Sequence, residues 1–218
     1  MRSSILILLP FVIFATPITA QDAKTVLNVT TKALGGETVK TVHYAGSGSS
    51  YIVSSGPVPA AGWPHTAMKS YVRDLNLERI TSKLQMVREE GTPPAAHELS
   101  AITDATSPWS SQYQFWITPH GFLRGVSIYG ANVGSKTVYG TMYKTVSLTL
   151  PGDHQIIGYI NESDLLEKIE TSIGEVAIEA QFHEYADFNG IKFPTMITEK
   201  HGGELSLILV VKEVRVIP

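Results

Sequence analysis

Apolar and polar residues alternate with period two through much of the second half of the chain. Ile178, Ala180 and Phe182 alternate with Glu179, Gln181 and His183, the pattern of a strand with one buried and one wet face. The surrounding segment, 156–194, is strand-like almost throughout and carries Asn189-Gly190 between two apolar runs, a pair suited to the positive φ of a tight hairpin. Beyond Ser135 the spacing predicts strands over 137–150, 154–160, 165–173, 176–188, 191–200 and 204–216. Turn signals such as Pro151-Gly152-Asp153 and Gly202-Gly203 separate them. Connections this short join antiparallel neighbours and exclude parallel crossovers. Leu207 to Val211 is apolar without alternation, which predicts a strand covered on both faces.

The first half is more mixed. Ala23, Val26, Leu27, Thr30, Ala33 and Leu34 recur at helical spacing and Gly35-Gly36 follows, which predicts a helix over 22–36. A strand over 39–50, a Gly, Pro and Ala-rich loop over 54–64, and paired strands over 67–76 and 78–90 come next. Ile80, Leu84 and Met86 share one face of the last. Trp63, at the end of the loop, is expected to pack on its own domain. Residues 91–108 read as a long polar connection and 113–117 as a short aromatic strand. Thr118-Pro119 is an N-cap followed by a first-turn proline, so a second helix is expected from Pro119 to about Ala131, carrying Phe122, Leu123, Val126 and Tyr129 on one face. The sum is an α+β fold: a curved, mostly antiparallel sheet of eight to ten strands, a half-barrel, wrapped against one or two helices. A half-barrel that its helices do not fill leaves a concave apolar surface, and Met86, Trp116, Phe122, Tyr129, Phe182 and Phe193 are the candidates for lining it. Taken singly, each of them fits an ordinary core better than a ligand surface.

Composition adds an address. Arg2, the apolar run Ile5–Phe14 and the small and turn residues ending at Ala20 read as a signal peptide over 1–20, cleaved after Ala20. Residues 21–218 are then expected to form a single exported domain, periplasmic or secreted, with no integral membrane segment. With no cysteine in the chain, lipoprotein acylation, disulfides and thiolate-held metals are all excluded. Of 17 basic residues Arg2 falls in the leader, leaving 16 against 20 acidic ones, a balance that argues against nucleic acid as a partner.

Little in the chain points to catalysis. The seven histidines form no ligand motif, no nucleophile elbow or phosphate loop is present, and no cofactor or metal is expected. His120, in the first turn of the expected second helix, could serve as a neutral general base, but a bond to a nearby carbonyl is the simpler expectation. Glu167, Glu170, Glu179 and Glu184 could line up across the sheet as solvated carboxylates. The sequence reading is therefore a non-catalytic binding or accessory domain whose partner is an apolar small molecule or lipid.

Six short runs also occur in order: Ala33-Leu-Gly-Gly36, Lys69-Ser-Tyr71, Trp116-Ile-Thr-Pro-His-Gly-Phe-Leu123, Gly158-Tyr-Ile-Asn161, Leu166-Glu-Lys-Ile-Glu-Thr171 and Tyr185-Ala-Asp-Phe-Asn-Gly-Ile-Lys-Phe-Pro194. Together they resemble the N-terminal region of secreted bacterial metallo-β-lactamase-fold hydrolases. The resemblance implies a zinc domain marked by HxHxDH beyond this region, a motif absent from the sequence, so no zinc ligand is carried over to any residue. It implies as the alternative function a hydrolase subunit, or a truncated product of such a hydrolase, with a hydrolase domain as partner. The architecture is also similar to the half-barrel of periplasmic lipoprotein carriers, an analogy of shape alone.

Overall fold

The computed structural model describes residues 20–35, 38–53, 59–60, 62–89 and 97–217. Most of the expected signal peptide, part of the 54–64 loop and the start of the 91–108 connection lie outside them. Eleven strands form one antiparallel sheet in the order β4-β3-β2-β1-β11-β10-β9-β8-β7-β6-β5. They are β1 (Thr41–Tyr51), β2 (His65–Asn76), β3 (Thr81–Arg88), β4 (Glu98–Thr103), β5 (Asn132–Val138), β6 (Thr141–Leu150), β7 (His154–Ile160), β8 (Leu166–Ile173), β9 (Val176–Phe188), β10 (Ile191–His201) and β11 (Glu204–Ile217). Sequential strands are neighbours except β4 and β5, which form the two edges, and at the centre β1 pairs with β11 and so joins two meanders. Three helices, α1 (Ala20–Ala33), α2 (Trp109–Trp116) and α3 (Pro119–Tyr129), pack with the sheet. This is the curved half-barrel that the alternation predicts.

Alternation decides which face is which. Ile178, Ala180 and Phe182 of β9 are buried on the inner face, and Glu179, Gln181 and His183 lie between them on the outer. On β11, Leu207, Leu209 and Val211 are buried whereas Val210 is 44% exposed, so this strand is covered on one face and the apolar run does not mean two-sided burial. The outer face is closed by charge instead of apolar layers. Tyr159 accepts from Lys136 Nζ at 2.7 Å and donates to Glu170 at 2.5 Å. Lys168 sits between Glu170 at 2.6 Å and Glu179 at 3.4 Å, and Lys200 also reaches Glu179 at 3.4 Å. Burial alone would raise the Glu170 pKa, but the bonds from Lys168 and Tyr159 outweigh it and hold the carboxyl below the usual range. Glu170 and Glu179 do stand opposite each other in the β8–β9 register; the paired lysines make them a structural cluster.

Three elements differ from the sequence expectation. The 113–117 segment is helical, as the last half of α2, because Trp109, Tyr113 and Trp116 recur at i, i+4 and i+7 and Trp116 Nε1 donates to Gln112 Oε1 one turn back at 3.1 Å. The 91–108 connection contains β4, which pairs along β3. The run 137–150 is broken by a turn at Tyr139-Gly140, whose φ values of 48° and 85° form a tight hairpin between β5 and β6. A tyrosine is an unusual occupant of that position.

α3 forms as its signals direct: Thr118 Oγ1 accepts from Gly121 N at 3.1 Å, and Phe122, Leu123 and Val126 face inward. Its docking depends on two glycines. A Cβ on Gly158 of β7 would lie 2.5 Å from the Phe122 ring, and one on Gly125 would lie 2.8 Å from Leu148 Cδ1 and 3.3 Å from the Trp116 ring. Both glycines therefore serve close approach of helix and sheet. Gly158→Ala is expected to destabilise the protein by roughly 1–3 kcal/mol, the cost of overpacking a filled core, read as a lowered urea midpoint.

Candidate functional site

Among the described residues, part of the inner face beside β3 and β4 is left open to a cavity. Ser50 of β1 lies opposite Leu207 of β11, and both line this cavity, of about 540 Å³, between α2 and the sheet, inside the range of about 300–1,000 Å³ typical of ligand clefts. Leu84 and Met86 of β3, Ala101 of β4 and Leu207 of β11 give it apolar walls.

Its floor is polar and connected. Arg73 of β2 is 3% exposed and Glu199 of β10 is 8% exposed. Arg73 Nε donates to Tyr71 Oη at 2.8 Å, Nη1 to Ser82 Oγ and the Gln114 carbonyl at 3.3 Å each, and Nη2 to Gln114 Oε1 at 2.8 Å. Gln114 Nε2 in turn donates to Tyr113 Oη at 2.6 Å and to Glu199 Oε2 at 3.3 Å. Gln114 of α2 thus bridges a buried cation and a buried carboxylate on the sheet. Burial alone would lower the Arg73 pKa, but Tyr71, Tyr44 and Glu199 raise it further, so the guanidinium stays charged. Burial pushes the Tyr113 hydroxyl up to about 12, which keeps it a neutral donor. Ser206 Oγ, on the cavity wall, is buried without a hydrogen-bond partner.

Of the residues expected from sequence, Met86 lies on this cavity. Trp116, Phe122, Phe182 and Phe193 are buried in the shared core, and Tyr129 is 40% exposed near the end of α3, its ring centroid 6.2 Å from that of Trp116. The floor residues Arg73, Glu199, Tyr113 and Gln114 were not among them. A signal was available: Arg73 shares strand parity with Tyr71 and Leu75, and Glu199 with Ile197, so each is a charge in an apolar register. Trp63 packs on its own chain, its Nε1 donating to Glu204 Oε2 at 3.2 Å.

No family model matches the chain, and no curated protein matches it. Solved structures do. A DUF1329 family protein from Desulfovibrio piger superposes with a TM-score of 0.50 at 12% identity, covering 89% of this chain and 92% of that one. A putative outer membrane lipoprotein-sorting protein domain from Vibrio parahaemolyticus gives 0.52 at 9% identity, covering 89% and 93%. The chain shares the half-barrel fold of these proteins. Neither likeness links it to the zinc hydrolases that its short motifs resemble. Several of those motif residues have local structural roles: Thr118 caps α3, Asn161 accepts from the backbone of Ser163 and Leu165, and Asn189-Gly190 turns the β9–β10 hairpin.

His120 makes no catalytic arrangement and no capping bond. It is 2% exposed, and neither ring nitrogen has a hydrogen-bond partner. Burial pushes its pKa down to about 4, and the nearby Leu34 backbone, short of a full bond, offsets this only in part. The unfolded chain takes up this proton below its ordinary value near 6.5, whereas the folded chain resists it until about pH 4. Stability is therefore complete above pH 6.5 and falls as the pH drops through this window. Between pH 7 and 4.5 the wild type is expected to lose roughly 2–3 kcal/mol more than His120→Gln, measured by urea unfolding at both pH values. Arg73→Met is expected to cost about 3 kcal/mol by stranding Glu199, and less in a Glu199→Gln background, read from the same unfolding curves.

Proposed function

We propose that this chain is a carrier-type binding protein that holds an apolar or lipid-like ligand between α2 and the β2–β4 side of the sheet. The observation that carries this reading is the cavity itself: apolar walls from Leu84, Met86, Ala101 and Leu207 over a floor whose charges, Arg73 and Glu199, oppose each other through Gln114. Acyl or other apolar chains gain about 25 cal/mol for each Å² of surface removed from water along such walls. The floor, already compensated, selects a polar end that is neutral or zwitterionic, because a net charge would oppose one of the two buried ions. The Tyr113 hydroxyl, which accepts from Gln114 Nε2 and lies 3.4 Å from His201 Nε2, is a polar group on this lining. The likeness in fold to a putative lipoprotein-sorting domain supports the same reading. The leader-like first twenty residues support an exported, periplasmic setting for it. Among the described residues no helix is long and apolar enough to cross a membrane.

Incubation with a cell lipid extract followed by native mass spectrometry tests this directly. The wild type is expected to carry added lipid mass, and Leu84→Trp or Ala101→Trp, which fill the cavity, to lose most of it while keeping the wild-type circular dichroism spectrum. A bare protein mass for the wild type, or equal loading of the filled variants, overturns the reading.

A further inference from the structure

A second cavity, of about 710 Å³, lies between α1 and α3. His120, Leu123, Arg124 and Ser127 stand at i, i+3, i+4 and i+7 along α3 and so present one face to it. Leu27 of α1 and Leu77, just past β2, supply apolar surface opposite. Two polar groups on that face are incompletely used. His120 is 2% exposed with both ring nitrogens unpartnered, a state that costs about 1–3 kcal/mol unless something bonds it. Arg124 is fixed by Nε, which donates to the Leu77 carbonyl at 2.8 Å. Among the described residues no carboxylate pairs with its guanidinium.

A cation oriented by one bond, with a neutral imidazole one turn earlier on the same face and apolar surface around both, matches one ligand chemistry. We infer that the cleft between α1 and α3 binds a carboxylate-bearing amphiphile, with the carboxylate at Arg124 and the chain along Leu27, Leu77 and Leu123. The guanidinium can hold a carboxylate through two parallel bonds from Nη1 and Nη2, its Nε being taken by Leu77, and the nearby buried His120 ring reports the arrival of that charge. The positive end of α3 lies in the same turn as His120 and favours the same charge. This site is separate from the sheet cavity, whose compensated floor has no free cation to offer.

Dodecanoate, with dodecanol as the uncharged control, is the probe. NMR titration of the protein is expected to move the His120 ring signals with dodecanoate and leave them in place with dodecanol. Arg124→Gln is expected to weaken the response about tenfold, the loss of one charge-assisted contact. Leu27→Trp, which fills the cleft without altering the guanidinium, is expected to abolish it in a protein of unchanged circular dichroism. Equal shifts with dodecanol, or an undiminished response in Arg124→Gln, overturns the assignment. Dodecanoate shifts confined to the Met86 methyl and its neighbours overturns it too, while leaving the sheet cavity as a ligand site. Shifts at His120 with none at Met86 uphold the cleft whatever becomes of the sheet cavity.

Discussion

The three helices among the described residues are too short to cover an eleven-stranded sheet, and much of this molecule's character follows from that mismatch in size. Eleven strands spaced about 4.8 Å apart span close to 50 Å. The 8 residues of α2 and 11 of α3 are only about 12 and 17 Å long. Where they do cover the sheet, the fit is tight enough that Gly158 and Gly125 have no room for a methyl group. α3 is therefore anchored over β6 and β7, while α2 reaches Arg73 of β2 and Glu199 of β10 through Gln114. A cavity at the β2–β4 side is the geometric remainder of good packing elsewhere.

How that remainder is finished decides what it can hold. An uncovered apolar face would invite collapse or aggregation. Here α2 is instead tied down by polar bonds, Gln114 meeting Arg73 with both its carbonyls and Glu199 with its amide. The tie costs desolvation of two charges, and the cost is met by connecting every member of the network. Gly48 of β1 serves a different end, since a Cβ there would lie 1.9 Å from the Ile208 carbonyl oxygen of β11. A floor that is polar but electrically closed, under apolar walls, suits an amphiphile without net charge. The cleft between α1 and α3 has the opposite character, an oriented cation with no carboxylate among the described residues to answer it.

Much of the fold was legible because period-two alternation is a local property. The bounds of β7 and β9 follow directly from it, as does the inner and outer assignment of Ile178 to His183. The cap on α3 was equally local, since Thr118-Pro119 carries its own geometry. Elements set by tertiary context were not legible. α2 is rich in aromatic residues with high strand propensity, and only its packing on the core makes it helical. The β5–β6 hairpin was hidden because Tyr139, a residue that ordinarily avoids it, occupies the left-handed region. On β11 the even positions Ile208 and Val210 are apolar without being covered, so composition alone overstated burial. The polar floor of the sheet cavity was hidden for a related reason. Large aromatics such as Trp116 and Phe122 are the conspicuous residues of this face and are core, while the cavity is marked by two charges in apolar registers.

Photo-crosslinking with a diazirine-bearing fatty-acyl probe, followed by peptide mapping, tests the central claim most directly, because it reports where an apolar chain lies. Labels are expected on β3, β4 and the Ser110–Gln114 turns of α2, at residues that line the sheet cavity. Labels spread over the outer face of β7–β10, or none above the level of an unfolded control, would contradict the account.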